Sequence, residues 1–403
     1  MKSHSRHTHY ATPLMLLTSC AAAVLLSACG GGNDSSSTAS SPSQATTPPP
    51  VVANQLYTQT NEQANAIVHM SRNSDGGLTV QNKTFTGGDG TNGVKFGDTT
   101  NTSVGDSLVS QHSITISSDN TMLFAVNAGN NTISTLAINQ TNGDLTLEKV
   151  NATTGQFPTS LAYSKGTLYV SFEGGSEKVQ AYTVNSDGSL TLLGAYAIPA
   201  NGTNAIVPTQ VVVSPNGGYL AVSAGTASGE VVSYPINADG SLGTPVANTS
   251  VTTPFAGAFL NNNVYLTTDI TDKALTSYNF ASGALTANGA FVTSGDAAPC
   301  WLVVTPNGQY AYVGNGGNGP IASYGVSSSG ALTLLNPLAA NNSTKVAGDS
   351  WISADGKYLY TAYLADGMVV AYAINADGSL TEVGTPAPIN TVSGVSMQGL
   401  VGI

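Results

Sequence analysis

Positive charge is scarce in this 403-residue chain, where 11 Lys and Arg stand against 22 Asp and Glu. Nucleic acid and anionic lipid headgroups are held by clustered Lys and Arg, so neither is expected as a partner. Cysteine is almost absent too, with Cys20, Cys29 and Cys300 too few and too scattered for a disulfide framework. Five His leave little for a histidine zinc site, and three of them lie in the first nine residues. No metal and no cofactor is expected. Glycine, by contrast, is abundant at 45 residues, the mark of a chain that turns often.

The first residues read as an address. Lys2 and Arg6 precede an apolar run from Leu14 to Leu26, which ends in Leu26-Ser27-Ala28-Cys29. A charged start, a short apolar run and small residues before a cut describe a secretory signal, and the run is too short to span a bilayer. Leu-Ser-Ala-Cys resembles the lipobox of bacterial lipoproteins, which implies cleavage after residue 28 and a lipid on Cys29. Gly30 stands where an aspartate would retain such a protein at the inner membrane, so the resemblance implies the outer membrane of the cell envelope. Residues 29–53, rich in Ser, Thr and Pro, offer almost nothing to bury and are expected to form a disordered tether. Loss of Lys2 and Arg6 leaves nine basic residues and a formal charge of −13, with Arg72 the one remaining arginine.

Residues 54–403 repeat. INADGSL stands at Ile236–Leu242 and again at Ile374–Leu380, with VNSDGSL at Val184–Leu190. Around these turns lie seven units, each with an aromatic-type position and a turn leucine. The first series is Tyr57, Phe124, Tyr169, Ala221, Tyr265, Tyr312 and Tyr360; the second is Leu78, Leu145, Leu190, Leu242, Leu285, Leu332 and Leu380. The two are 21 residues apart in four units and 20 in three. Four short strands in a period near 45 specify a seven-bladed β-propeller, an all-β fold. The chain starts at the second strand of its first unit and finishes on a lone inner-type strand, GLVGI, so the C-terminal strand is expected to close the ring. One unit is longer than the rest because of a polar insertion near Gly87–Asp106, read as an external loop. The Asp-Gly turns are read as hairpin turns, since a calcium loop needs more oxygens at alternating positions.

SPNGGYLAV (Ser214–Val222), TPNGQYAYVGN (Thr305–Asn315) and SADGKYLYTAY (Ser353–Tyr363), with the Asp-Gly-Ser-Leu-Thr turns, resemble the lactonase-like seven-bladed propellers. That family includes bacterial 6-phosphogluconolactonase and a fungal muconate-lactonizing enzyme. The resemblance spans essentially all of residues 54–403. It implies a site built on Arg-His before an inner strand and a glutamate after an aromatic strand. Here the corresponding pairs include His112-Ser113, Thr209-Gln210, Cys300-Trp301 and Met397-Gln398, and the glutamate position after Tyr312 is Gly314-Asn315. No catalytic residue transfers.

Loops leading into the inner strands and loops after the second strands emerge on one face, where Glu62, His112, Glu173, Asp269, Trp301 and Asp349 are the candidate ligand-binding residues. His112 with Glu173, on consecutive blades, has the chemistry of an acid–base pair; Trp301 has a ring on which a sugar stacks. Two functions remain open. One is an envelope protein, a monomer, that binds a small neutral ligand or an envelope partner. The other is a hydrolase of a lactone or ester with an altered site. The anchor is testable apart from either: Cys29→Ser should block processing or release the protein from membranes, and unchanged membrane association in a fractionation assay contradicts it.

Overall fold

The computed structural model describes residues 52–199, 206–225, 229–317, 319–340, 346–389 and 397–403. The signal sequence, Cys29 and all but the last two residues of the tether lie outside them. Seven antiparallel sheets are present, and in the first the chain order is Gln398–Gly402, Gln55–Gln59, Ala64–Arg72, Leu78–Asp89. The C-terminal strand therefore pairs into the blade that the N-terminal strand begins. The pairing runs Leu56 to Gly402, Tyr57 to Val401 and Thr58 to Leu400. Beyond it, the N–H groups of Asn54 and Gln55 both donate to the Ile403 carbonyl. This is the closure read from the sequence.

Blades 2 to 7 follow in chain order, with inner strands Ile114–Ile116, Gln156–Ser164, Pro208–Val213, Pro254–Asn261, Pro299–Val304 and Ala347–Ile352. The second strands are the most deeply covered, as in Leu359, Tyr360 and Ala362. Sheets covered on both faces need near-continuous apolar strands, and the core sits between blades. Blade 4 departs from the repeat. After its turn, Leu242 makes only an isolated bridge to Ile236, and the outer strand is delayed to Val246–Asn248. Gly243 and Pro245 intervene, and proline has no N–H to give a ladder.

The turns are self-contained. In INADGSL the Asp239 Oδ1 accepts from the N–H of Ser241 at 3.0 Å and from its Oγ at 2.6 Å. Gly240 takes φ +87°, which a Cβ would resist. Asp187 and Asp377 repeat this arrangement, which supports the reading as hairpin turns.

In four of the seven units the tyrosine at the aromatic position bonds the turn of the neighbouring blade. Tyr57 donates its hydroxyl to the Gly143 carbonyl in the turn of the next blade at 2.7 Å. Tyr169 does the same to Gly240 at 3.0 Å, Tyr312 to Gly378 at 3.0 Å and Tyr360 to Gly76 at 2.9 Å. Each bond is buried, so each ties one blade to its neighbour where water does not compete. Phe124 and Ala221 have no hydroxyl to offer, and the Tyr265 hydroxyl makes no such bond.

The insertion is not simply external. Gly87–Asp89 extends the outer strand of blade 1, and after an exposed stretch the chain turns inward, burying Ser107, Leu108, Ser110 and Gln111. Replacing Tyr312 with Phe, which removes one interblade bond and leaves a buried carbonyl unpaired, should cost about 1–2 kcal/mol in denaturant unfolding. A stability equal to that of the parent contradicts the tie.

Candidate functional site

The inward end of the insertion crosses the middle of the ring. Gln111 extends its side chain from blade 2 to blade 6, donating from Nε2 to the Leu302 carbonyl and accepting at Oε1 from the Leu302 N–H, both at 2.9 Å. Its own N–H donates to Thr209 of blade 4, and the N–H of Leu161 in blade 3 donates to the His112 carbonyl. The His112 N–H donates to Asp349 Oδ1 in blade 7 at 2.8 Å. Val109 and His112 hold φ of +50° and +66°, a backbone state that costs such residues about 1–3 kcal/mol and persists only where neighbours over-determine it. These bonds to several blades do so.

The crossing divides the channel. On the side of the lead-in loops lies a pocket of about 340 Å³ whose lining includes Asp106, Val109, Phe255, Ile270, Trp301 and Val346. On the side of the Asp-Gly turns lies a cavity of about 370 Å³, bounded at its inner end by His112. The first pocket is walled mainly by apolar side chains and the backbone of Gly225, Gly316 and Gly317, with Cys300 at its base. Burial pushes the Cys300 thiol up to about 12, so it is no nucleophile near neutral pH.

Among the described residues Asp106 is the one charged residue lining this pocket. Its Oδ1 accepts from the Val109 N–H at 2.9 Å and from Gln398 Nε2 at 3.2 Å. Burial nevertheless raises its pKa to about 6, against these hydrogen bonds and the charge of Lys95. Sequence reasoning passed over Asp106 and Gln111 because both follow from where the insertion ends. The clue available was a set of glutamines, 111, 210 and 398, each just before or at the head of an inner strand.

The six residues expected on this face are distributed as follows. Trp301 is buried, donates Nε1–H to the Ser110 carbonyl at 3.2 Å, and packs edge-on against Phe255. Asp349 is buried with Oδ1 on the His112 N–H and Oδ2 on the Gly399 N–H at 3.1 Å, and burial lifts it to about 7. Asp269 caps the chain, accepting from the N–H groups of Thr252, Thr253 and Asp272. Glu62 pairs with Lys83 at 2.5 Å, on the outer strand of its own blade.

Glu173 is half-buried; burial raises it to about 7, opposed by Lys178 and Lys95 and helped by Asp106. His112 is different. Burial alone lowers it to about 4, and its Nδ1 and Nε2 face the amide nitrogens of Gln210 at 3.2 Å and Gln111 at 3.1 Å. Both of its ring nitrogens face glutamine amides and neither faces Glu173. Asp106, through its field on Glu173, Asp349 and Cys300, is the electrostatic centre instead.

A family model described as Lactonase, 7-bladed beta-propeller, matches residues 54–197, 158–258 and 263–396. The 6-phosphogluconolactonase of Bacillus subtilis (strain 168) is 28% identical over 172 residues, which are 39% of this chain and 48% of that protein. The chain thus aligns with about half the length of that curated relative. A putative 6-phosphogluconolactonase from Bacteroides uniformis ATCC 8492 superposes with TM-score 0.68 at 18% identity, over 86% of this chain and 98% of that one. The Pseudomonas aeruginosa periplasmic gluconolactonase PpgL superposes with TM-score 0.65 at 17% identity, over the same shares of each chain. At such identities these two likenesses show the fold alone.

The raised carboxyls give a pH dependence of known sign. Between about pH 4 and pH 7 the folded protein holds protons on Asp106, Glu173 and Asp349 that the unfolded chain has released. Stability therefore falls as pH rises through that window. His112 and His69, both lowered by burial, oppose this in part. The melting temperature should decline from pH 5 to pH 7.5; a rise across that interval contradicts the assignment.

Proposed function

The chain belongs to the seven-bladed β-propeller lactonase family, and from that premise we propose that it binds a small uncharged sugar lactone or related neutral sugar in the Asp106–Trp301 pocket without turning it over. The observation that carries this reading is the lining itself. It combines apolar walls and an indole ring with a single carboxyl, and among the described residues it includes no Lys, Arg or His. Ligand sites of this size are mostly apolar with a few placed polar groups that fix orientation. A phosphate dianion would meet the Asp106 carboxyl with no Lys or Arg among the described lining residues to pair with it, whereas phosphate sites present Arg forks, Lys or helix N-termini. The name of one structural neighbour, a periplasmic gluconolactonase, accords with an unphosphorylated ligand more than that of the 6-phosphogluconolactonases does.

Occupancy of the site's other groups supports binding without turnover. Asp349 and Asp269 are engaged with backbone N–H groups, His112 is held neutral, and Cys300 is a buried thiol. The protein acts, on this reading, at the outer membrane through the lipid on Cys29, presenting its pocket at the end of the tether.

One observation favours a second reading. Asp106 at about 6 is ionised near neutral pH yet basic enough to take a proton from water attacking a lactone carbonyl. Calorimetric titration with glucono-1,5-lactone, glucose and their 6-phosphates, run beside a hydrolysis assay, separates the two. The uncharged compounds should bind and raise the melting temperature, the phosphates should not, and Trp301→Ala should weaken binding at least tenfold. Binding of the phosphates alone overturns the proposal. Lactone hydrolysis that rises with pH through about 6 and is lost in Asp106→Asn establishes the second reading in its place.

A further inference from the structure

The blade 1 insertion encloses a space of its own. A cavity of about 470 Å³ lies between residues 90–103 and the loops that follow the second strands of blades 1 and 2, and it shares no lining residue with the Asp106 pocket. Its floor is pinned from both blades. Asn61 accepts at Oδ1 from the Thr91 N–H at 2.9 Å and donates from Nδ2 to Thr91 Oγ1 at 2.8 Å and Ser107 Oγ at 2.9 Å. The Gly90 N–H donates to the Glu62 carbonyl, and the Gly129 N–H to the Asp89 carbonyl. A Cβ on Gly129 would come within 2.2 Å of the Gly90 carbonyl oxygen, so only glycine permits that approach.

Two rings form one wall. Phe157 holds φ +58°, a state rare for a bulky residue, with its N–H on Asn131 Oδ1 at 2.7 Å. Such strain persists only where neighbours impose it, and it gathers at ligand clamps. The Phe157 ring is buried, with the Phe96 ring against it at 5.4 Å between centroids. Gly174 of blade 3 makes room for Phe96, because a Cβ there would lie 2.6 Å from its ring. Phe96 is thus held on two sides yet stays 41% exposed.

The polar lining is unlike that of the Asp106 pocket. Gln63, Asn92 and Asn101 bring three exposed carboxamides, and none of these side chains makes a hydrogen bond among the described residues. A carboxamide both donates and accepts, as a sugar hydroxyl does. No carboxylate lines the space among the described residues; Lys95 is its charged side chain and makes no ion pair there. The nearby acids are engaged elsewhere, Glu62 with Lys83 and Asp98 with Thr100 and Thr102. One ammonium matches one negative charge. A dianion would leave a surplus charge in a chain already at −11.

We infer that this cavity is a binding site for a pyranose that carries a carboxylate. Lys95 meets the carboxylate, the three carboxamides meet the hydroxyls, and the apolar face of the ring lies on Phe96. The site stands whatever fills the Asp106 pocket.

Calorimetric titration of methyl β-D-glucuronide into the full chain carrying Cys29→Ser tests it, beside methyl β-D-glucoside and glucose 6-phosphate. One-to-one binding of the glucuronide is expected, at least tenfold tighter than either of the others and weakened by salt. Lys95→Gln should bring the glucuronide down to the affinity of the glucoside, and Phe96→Ala should weaken both glycosides at least tenfold. Trp301→Ala, which alters the Asp106 pocket, should change neither. Lys95 and Phe96 are exposed, so both variants should melt with the parent, and lost binding then reports the site and not the fold. Glucuronide binding that is absent, equals that of the glucoside, is weaker than that of glucose 6-phosphate, or depends on Trp301 in place of Phe96 overturns the inference.

Discussion

Gln111 pairs with both polar groups of the Leu302 backbone across the axis of the ring, and the division of the molecule into two chemically different spaces depends on that pair. A ring of blades leaves a hole, and the segment that follows the blade 1 insertion enters it. The crossing segment then orders everything near it: the Asp349 carboxylate joins the His112 and Gly399 N–H groups, and the Trp301 indole finds the Ser110 carbonyl. The inner end of the site is thereby assembled from the blade 1 insertion, blade 6, blade 7 and the closing strand.

That arrangement changes what the ionisable groups can do. Asp349, which the sequence places at a strand head on the binding face, is a structural acceptor. His112 is a neutral ring in a closed corner. The carboxyl left in contact with open volume is Asp106, buried enough to be raised to about 6 and close enough to other groups to raise Glu173 and Asp349. On the proposed reading, a pocket with this lining suits hydroxyls and carbonyls better than phosphate, without appeal to the family's catalytic pair.

The scaffold was legible because repetition reports it: constant spacing from Tyr57 to Leu78, or from Tyr312 to Leu332, marks each blade, and the unpaired ends GLVGI and Gln55–Gln59 imply each other. The ties between blades were not legible, since the tyrosine of one unit bonds the turn of the next in four of them, and a repeat compares units without showing which of them touch. The site was legible only in part. Its face follows from strand direction, and Trp301 lines the pocket as a strand-head residue. Asp106 ends the one segment with no counterpart in other units, so no pattern locates it, and Gln111 was marked only by the glutamines that recur near other inner-strand heads. Glu62 and Asp269 look available in sequence but are engaged by Lys83 and by backbone N–H groups, partners that only folding supplies.

Hydrogen exchange of the segment 105–113 and of the Leu302 N–H reads the crossing directly. In the ordered crossing these amides exchange as slowly as those of the inner strands, and Gln111→Ala accelerates Leu302 and His112 by tenfold or more while the outer strands are unaffected. Exchange of 105–113 in the parent protein as fast as the exposed stretch 97–103, or no response at Leu302 to Gln111→Ala, would show that the two spaces are one open channel.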